Sequence, residues 1–148
     1  MAVTTNEQIV QRLTDELNRG NLDAIDEIYA EDFVVHPLFY RPVPPPGSEN
    51  ASDRERVKAI MRMSRELAAP HVTIEKIIEA GEYVTVITSA EGTTKDGKPL
   101  TGHGINVYRI ADGKIAESWV LVDRLGTFQQ LGIVPETAEL QRQAGMRP

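Results

Sequence analysis

The sequence of 148 residues contains no cysteine. A chain without thiols forms no disulfide framework, no thiolate metal site and no cysteine nucleophile, and a cytoplasmic location is the simplest expectation. Its longest apolar runs are a few residues, such as residues 119–122, which are too short to cross a bilayer. Residues 1–7 have neither the basic start nor the apolar run of an ordinary signal peptide. We therefore expect no membrane partner.

Positive charge is also scarce. Sixteen basic residues stand against 22 acidic ones, and the formal net charge is −6. A nucleic-acid partner would need a basic face, so we expect none. The length suits one domain, residues 1–148, that buries most of the surface of its unfolded chain. Composition thus leaves a small acidic globular domain.

Helical patterns occupy the first half of the chain. Capping boxes at Thr4 and Thr5 precede apolar residues at helical spacing, and Gly20 offers a stop. A second, short helix is predicted from Leu22 to Tyr29, followed by a brief strand over residues 33–36. The pattern Ser52-x-x-Glu55 opens a third helix, which ends before Pro70.

After Pro70 the apolar period changes to two, which indicates strands. Four segments rich in Val, Ile, Thr and Tyr are separated by turn signals such as Asp112-Gly113, and they cover residues 71–79, 83–94, 100–111 and 114–123. This order predicts an α+β fold in which three N-terminal helices pack in a curved, mainly antiparallel β-sheet around an internal pocket. We expect the core to cover about residues 5–134, with a loosely held, partly helical tail.

Five of the nine prolines lie in the segment 37–50. Such a segment supplies neither a sheet ladder nor a helix interior. One interpretation is an ordered loop that carries Leu38, Phe39 and Tyr40 over an apolar region. A mobile surface loop is an equally good interpretation.

The register of the last hairpin decides which residues of its two strands share a face. On the second strand Ile115, Glu117, Trp119, Leu121 and Asp123 alternate onto one face. A two-residue loop would add Asn106 and Tyr108 to that face. A three-residue loop, with Gly113 left-handed, would add His103, Ile105, Val107 and Arg109 instead. We prefer the second register, since it gives one continuous apolar face and sets Arg109 beside Glu117.

In that register Asp123 ends the apolar face, with His103 on the neighbouring strand. Desolvation at the mouth of an apolar cavity would raise the pKa of the carboxyl and make it a better general base. The histidine would hydrogen-bond the carboxylate or a substrate oxygen, and Asn106 is the alternative donor. A second interpretation is that Asp123 only caps a helix over residues 124–130, and the spacing alone favours this cap.

The other polar and aromatic candidates are weaker. His36 fits either a buried histidine or a pocket residue, and Trp119 fits the core better than a substrate contact. The three histidines are dispersed and lack the spacing of a metal site, so no metal is expected. No nucleotide-binding glycine motif is present, so no cofactor is expected.

Two segments carry a family resemblance. The run from Val107 to Trp119, followed by Asp123-Arg-Leu-Gly-Thr-Phe-Gln-Gln-Leu-Gly132, resembles the closing signature of the SnoaL-like polyketide cyclases. The segment from Ala30 through His36 to the following proline is similar to an early pattern of that family. These cyclases belong to a superfamily of cone-shaped proteins with ketosteroid isomerases, limonene epoxide hydrolases and nuclear transport factor.

The resemblance implies a cofactor-free aldol cyclase that acts on a polyketide-like small molecule in a biosynthetic pathway. Asp123 would be the base, and His103 and Asn106 would orient or donate to substrate oxygens. His36 and Tyr40 would line the cavity, with Trp119 as a further substrate contact. The alternatives are a limonene-type epoxide hydrolase, or a non-catalytic member of the fold that binds a small molecule.

Self-association is also expected. The face of the last hairpin opposite to Trp119 carries apolar residues that would be unusual in water, namely Tyr108, Ile110, Ala116, Val120 and Val122. The resemblance points the same way, since family members usually pair through the outer face of the sheet. We therefore expect a homodimer.

Overall fold

The computed structural model describes residues 4–147. Five helices are present in this part of the chain, namely α1 (Asn6–Asn18), α2 (Ala24–Ile28), α3 (Asp53–Ala68), α4 (Arg124–Gln130) and α5 (Thr137–Gln143). Five strands accompany them, namely β1 (Tyr29–Pro37), β2 (His71–Ala80), β3 (Tyr83–Thr93), β4 (Pro99–Ala111) and β5 (Lys114–Val122).

The strands form one mixed sheet in the order β1-β5-β4-β3-β2. β2 to β5 are a run of antiparallel hairpins, whereas β1 pairs parallel with β5. The α+β class is therefore confirmed, and the four predicted strands match to within one residue at each end. β1 is longer than the brief strand expected, because pairing extends it from Tyr29 to Pro37.

Local capping chemistry sets the helix ends. Thr5 closes a capping box with Gln8 at the start of α1, and the Ser52 hydroxyl accepts the Glu55 N–H at the start of α3. α3 ends at Ala69, which adopts a left-handed φ of 41° before Pro70. Two helices precede β1, the second with only five residues, and α3 follows that strand.

The core lies between the helices and one face of the sheet. Val10 of α1 and Ile25 of α2 are almost fully buried against Val84, Val86 and Ile115 of the strands. α1 contacts β2 and β3, α2 contacts β1 and β5, and α3 contacts β1 and β3.

A bulge sets the register of the last hairpin. Asp112 and Gly113 form a two-residue loop, both with positive φ, and Ala111 pairs with Lys114. The pairing then shifts between Arg109 and Ile110. One extra residue in β5 thus produces the register that we had expected from a three-residue loop.

The preferred register is therefore confirmed, although its cause differs. Val107 pairs with Trp119, and Arg109 pairs with Glu117. However, the bulge also breaks the alternation along β5, so that Ile115 is fully buried while Glu117 lies on the other face. The expectation that Ile115 shares a face with Glu117 and Trp119 is wrong for this reason.

The proline segment is an ordered loop. Ser48 is buried and donates its hydroxyl to the Pro45 carbonyl at 2.6 Å. The Arg56 guanidinium on α3 donates to the Ser48 carbonyl at 3.1 Å and to the Glu49 carbonyl at 2.6 Å. Of the two interpretations of this segment, the structure supports the ordered one.

The C-terminal tail contains α5 and is attached to α4. Gln129 donates to the Pro135 carbonyl and to the Thr137 hydroxyl, both at 3.1 Å. Among residues 4–147, no helix is long and apolar enough to span a membrane.

Truncating the buried sheet residue Ile115 tests this core. We expect Ile115→Ala to lower the free energy of unfolding by about 2–5 kcal/mol, since it opens a cavity at a fully buried site. Ile78→Ala is the matched control, because Ile78 is 53% exposed, and it should cost less than about 1 kcal/mol. Urea denaturation followed by circular dichroism measures both, and equal losses would contradict the assigned core.

Candidate active site

Two cavities lie between the helices and the sheet. The first, of about 320 Å³, is enclosed by α1, α3 and strands β2 to β4, and it reaches Asp123. The second, of about 370 Å³, lies under the proline segment, between α3 and strands β1, β4 and β5. Ile60 and Met61 of α3, with Asn106, Tyr108 and Val122 of the sheet, line both. The two cavities are therefore neighbours that share a wall.

The sheet face that lines the cavities is the opposite of the one expected. Asn106 and Tyr108 of β4 and Val120 and Val122 of β5 face them. Trp119 and its neighbours lie on the other face, where Ile105 and Leu121 are each 45% exposed. The sequence pattern did not distinguish the two faces, because both are apolar beyond the bulge.

Asp123 leaves the strand and caps the next helix. Its Oδ1 accepts the Gly126 N–H at 2.8 Å, so Asp123 caps α4 as the second interpretation predicted. Asp123 also lines the first cavity, and its Oδ2 accepts no hydrogen bond from residues 4–147. The side chain is exposed rather than desolvated as expected. One oxygen is thus used for the cap, and the other is available to a molecule in the cavity.

Gly126 leaves room for this carboxylate. A Cβ at position 126 would lie 2.2 Å from Asp123 Oδ2 and 2.8 Å from its Cγ. Any side chain there would push the carboxylate away from its present position. The spacing Asp-x-x-Gly, visible in the sequence, thus records a steric requirement of Asp123.

His103 and Asp123 are neighbours through their backbones. The Asp123 N–H donates to the His103 carbonyl at 3.1 Å. His103 lines the edge of the first cavity and is exposed, and no hydrogen bond joins the two side chains. The expected contact of the imidazole with the carboxylate is absent, because His103 belongs to the alternating row that faces away from the helices.

Asn106 and two tyrosines supply polar groups at the shared wall. Asn106 and Tyr108 line both cavities, and Tyr29 lines the second. Burial raises the pKa of Tyr108, and burial together with the nearby Tyr108 raises the pKa of Tyr29. Both phenols therefore stay protonated at neutral pH, and neither hydroxyl is hydrogen-bonded within residues 4–147. Sequence reasoning assigned Tyr108 to the outer surface and so missed it as a cavity residue.

Three residues expected in the pocket lie elsewhere. The His36 ring stacks on Trp119 with centroids 5.0 Å apart, on the sheet face that is turned away from the helices. His36 Nε2 lies 3.1 Å from Glu117 Oε2, and Arg109 contacts the same carboxylate. Tyr40 is 88% exposed on the proline segment. His36, from the early segment that resembles the family, therefore belongs to an outer cluster with Glu117 and Arg109 in this chain.

The face proposed for self-association is also reversed. Tyr108 and Ile110 are buried, and Val120 and Val122 line the second cavity, so this side of the hairpin faces the helices. The exposed apolar residues lie opposite. We call this surface the outer apolar face, which comprises the exposed Ile87, Ile105 and Leu121 and the half-buried Val107 and Trp119.

Within the described part of the chain, no three His, Asp or Glu side chains are grouped so that they could hold a metal ion. The walls of both cavities are mostly apolar, and the second cavity is also lined by Asp53, Arg56 and Arg124. Such a site can bind a largely apolar small molecule, donate hydrogen bonds to its oxygens and offer one free carboxylate oxygen.

Comparison with known proteins agrees with this architecture. Residues 10–118 match the SnoaL-like domain family, and the chain belongs to that family. A search of curated proteins finds no match.

Solved structures of similar fold include several cyclase candidates. A candidate polyketide cyclase from Bacillus cereus is 30% identical with a TM-score of 0.74, covering 86% of this chain and 80% of its own. IdmH, a candidate polyketide cyclase from Streptomyces antibioticus, is 24% identical with a TM-score of 0.71, covering 85% and 97%. A protein of ketosteroid isomerase-like fold from Catenulispora acidiphila, solved with trimethylamine, is 19% identical with a TM-score of 0.67, covering 86% and 95%.

The ion-pair cluster on the outer face predicts a pH-dependent stability. The hydrogen bond from His36, and then Arg109, lower the pKa of Glu117. Because the folded pKa lies below the unfolded one, the stabilisation is complete above about pH 4.3 and is lost as the pH falls through the folded pKa. Glu117→Gln should therefore lower the urea midpoint at pH 7, and its difference from wild type should shrink towards pH 3.

Glu79→Gln is the control for this measurement, since Glu79 is exposed and makes no ion pair within residues 4–147. Its urea midpoint should follow wild type at both pH values. A Glu117→Gln deficit that is the same at pH 7 and pH 3 would contradict the assigned ion pairs.

Proposed function

We propose that the protein is a cofactor-independent cyclase or isomerase that removes a proton from a carbon acid, with Asp123 as the general base. The observation that carries this proposal is the Asp123 carboxylate at the first cavity, with one oxygen held by the Gly126 N–H and the other unpaired. A base fixed through one oxygen presents the second in a defined direction.

The proton balance follows from this arrangement. Asp123 Oδ2 takes a proton from a carbon next to a carbonyl, and the electron pair of that C–H bond moves into an enolate. Asn106 and the neutral Tyr108 hydroxyl, at the wall shared by the two cavities, donate to the enolate oxygen. For an aldol closure, the enolate carbon attacks a second carbonyl of the same molecule, and the protonated Asp123 returns its proton to the new alkoxide.

Water exclusion completes the site when substrate binds. Asp123 is exposed in the free protein, where its charge is hydrated. An apolar substrate that covers the carboxylate removes this water and makes the charged form less favourable, which strengthens it as a base. His103 is not used in this step, because its side chain belongs to the row of β4 that faces away from the helices.

The SnoaL-like family and the similar solved structures support a reaction of the cyclase or isomerase class. The Bacillus cereus protein, 30% identical, is a candidate polyketide cyclase, and a polyketide-like substrate fits cavities with mostly apolar walls. A cytoplasmic location and a role in a biosynthetic pathway remain predictions. We also propose a homodimer that buries the outer apolar face, since Ile105 and Leu121 would otherwise leave apolar surface in water.

Replacing the proposed base separates catalysis from capping. In Asp123→Asn we expect the deuterium exchange of 2-tetralone α-protons, followed by proton NMR in D₂O, to slow by about 100-fold or more. Asparagine is as good a helix cap as aspartate, so the thermal midpoint should stay close to wild type. Full exchange activity in Asp123→Asn would refute Asp123 as the base and favour a protein that only binds its ligand.

Gly126→Ala tests whether the position of the Asp123 carboxylate matters, because it leaves Asp123 itself unchanged. The added Cβ displaces Asp123 Oδ2, so exchange should slow although Asp123 is present. Alanine favours a helix by about 1 kcal/mol over glycine, which offsets the weakened cap and keeps the protein folded. An unchanged exchange rate in this variant would mean that the orientation of the carboxylate is irrelevant.

The dimer is tested on the outer apolar face. We expect a dimer mass for the wild type in light scattering at micromolar concentration, and a monomer for Leu121→Asp, because a buried unpaired charge opposes association. Ile133→Asp is the control, since Ile133 is 67% exposed and lies outside this face, and it should remain a dimer. A monomeric wild type would contradict the proposal.

A further inference from the structure

Adjacent residues place opposite charges at the two cavities. Asp123 lines the first cavity, and Arg124 lines the second. The two cavities share a wall, so one molecule that fills both would contact both charged residues. The function proposed above uses only the carboxylate.

The charges of the second cavity do not cancel. Of its three ionisable side chains with permanent charge, Asp53 and Arg56 pair with each other at 3.1 Å. Arg56 is also committed to the carbonyls of Ser48 and Glu49. Arg124 makes no ion pair with any of residues 4–147. Arg124 is exposed to solvent, and it is the one charged residue of this cavity without an ion-pair partner in the described part of the chain.

Arg124 is held in place by the proline segment. Its guanidinium carbon lies 4.0 Å from the centroid of the Phe39 ring, and Phe39 lines the same cavity. A guanidinium stacked on a ring keeps its N–H groups at the edge of its plane, where they can bind a carboxylate in a bidentate manner. The remaining walls are largely apolar, with Val35, Val57 and Val120 among them.

We infer that Arg124 binds a carboxylate of the substrate, which is therefore a mainly apolar keto acid. The carboxylate lies in the second cavity, and the carbon acid lies in the first. The shared wall, with Asn106 and Tyr108, lies between these positions and faces the carbonyl oxygen. The keto part of this inference rests on the proposed function, whereas the acid-binding part rests on Arg124 alone.

Binding of a matched pair of probes tests the acid-binding part. We expect isothermal titration at pH 7 to give 2-naphthoate a dissociation constant about tenfold lower than that of neutral 2-naphthamide, as a charge-assisted pair provides. Arg124→Gln should bind both probes equally. Arg124→Lys should keep part of the preference for 2-naphthoate, because lysine retains the positive charge but lacks the planar guanidinium that binds a carboxylate through two N–H groups.

Arg41→Gln is the matched control. Arg41 lies on the proline segment and over an aromatic ring, 5.1 Å from the Tyr40 centroid, but it lines neither cavity. This variant should keep the tenfold preference. Equal binding of the two probes by wild type, a preference that survives in Arg124→Gln, or its equal loss in Arg41→Gln would each overturn the inference.

The Asp123→Asn protein keeps this test independent of turnover. It lacks the proposed base but retains Arg124, so it should prefer 2-naphthoate at least as strongly as wild type does. If exchange activity survives in Asp123→Asn while the preference depends on Arg124, the proposed base is wrong and the acid site stands. If the base is confirmed and the preference is absent, the acid site is wrong.

Discussion

One extra residue in β5 determines what surrounds the cavities. The two-residue loop at Asp112-Gly113 starts the hairpin in one register, and the bulge beyond it converts the pairing to another. Ile115 and Ser118 are consequently both buried, although a regular strand would place them on opposite faces. Without the bulge, the pairing of β4 with β5 would put Asn106 opposite Trp119. With it, Asn106 faces the cavities and Trp119 faces outwards.

Because the inner sheet face depends on the bulge in β5, only some features of the fold could be predicted from the sequence. Capping patterns at Thr5 and Ser52 and the strand segments follow from local chemistry, and the structure reproduces them. The choice of the inner sheet face does not follow, because β4 and β5 are apolar on both sides beyond the bulge. Val120 and Leu121 carry the same hydrophobic signal, yet one lines a cavity and the other is exposed. Only packing against the helices separates them.

The ambiguity between the two sheet faces also accounts for the errors in the predicted cavity residues. Asp123 was found because it follows the alternating row of the last strand and stands in the family signature, and Asn106 because the alternative register placed it on that face. Tyr108 was missed and Trp119 was misplaced for a single reason, the assignment of the inner face. His36 shows a different effect, since its ring is removed from the cavity by the parallel pairing of β1 with β5, a long-range contact that no local pattern encodes.

The cap at Asp123 is compatible with the proposed role as a base, because a carboxylate has two oxygens. Capping alone accounts for an aspartate at the start of α4, and it leaves Oδ2 without a partner. Gly126 belongs to the same arrangement, because a Cβ there would displace the capping carboxylate, although helix positions favour alanine over glycine by about 1 kcal/mol. A glycine whose Cβ would collide with that same oxygen costs helix stability while it preserves the direction of the carboxylate. The Asp123–Gly126 pair therefore serves the cap and fixes the direction of Oδ2 at the same time.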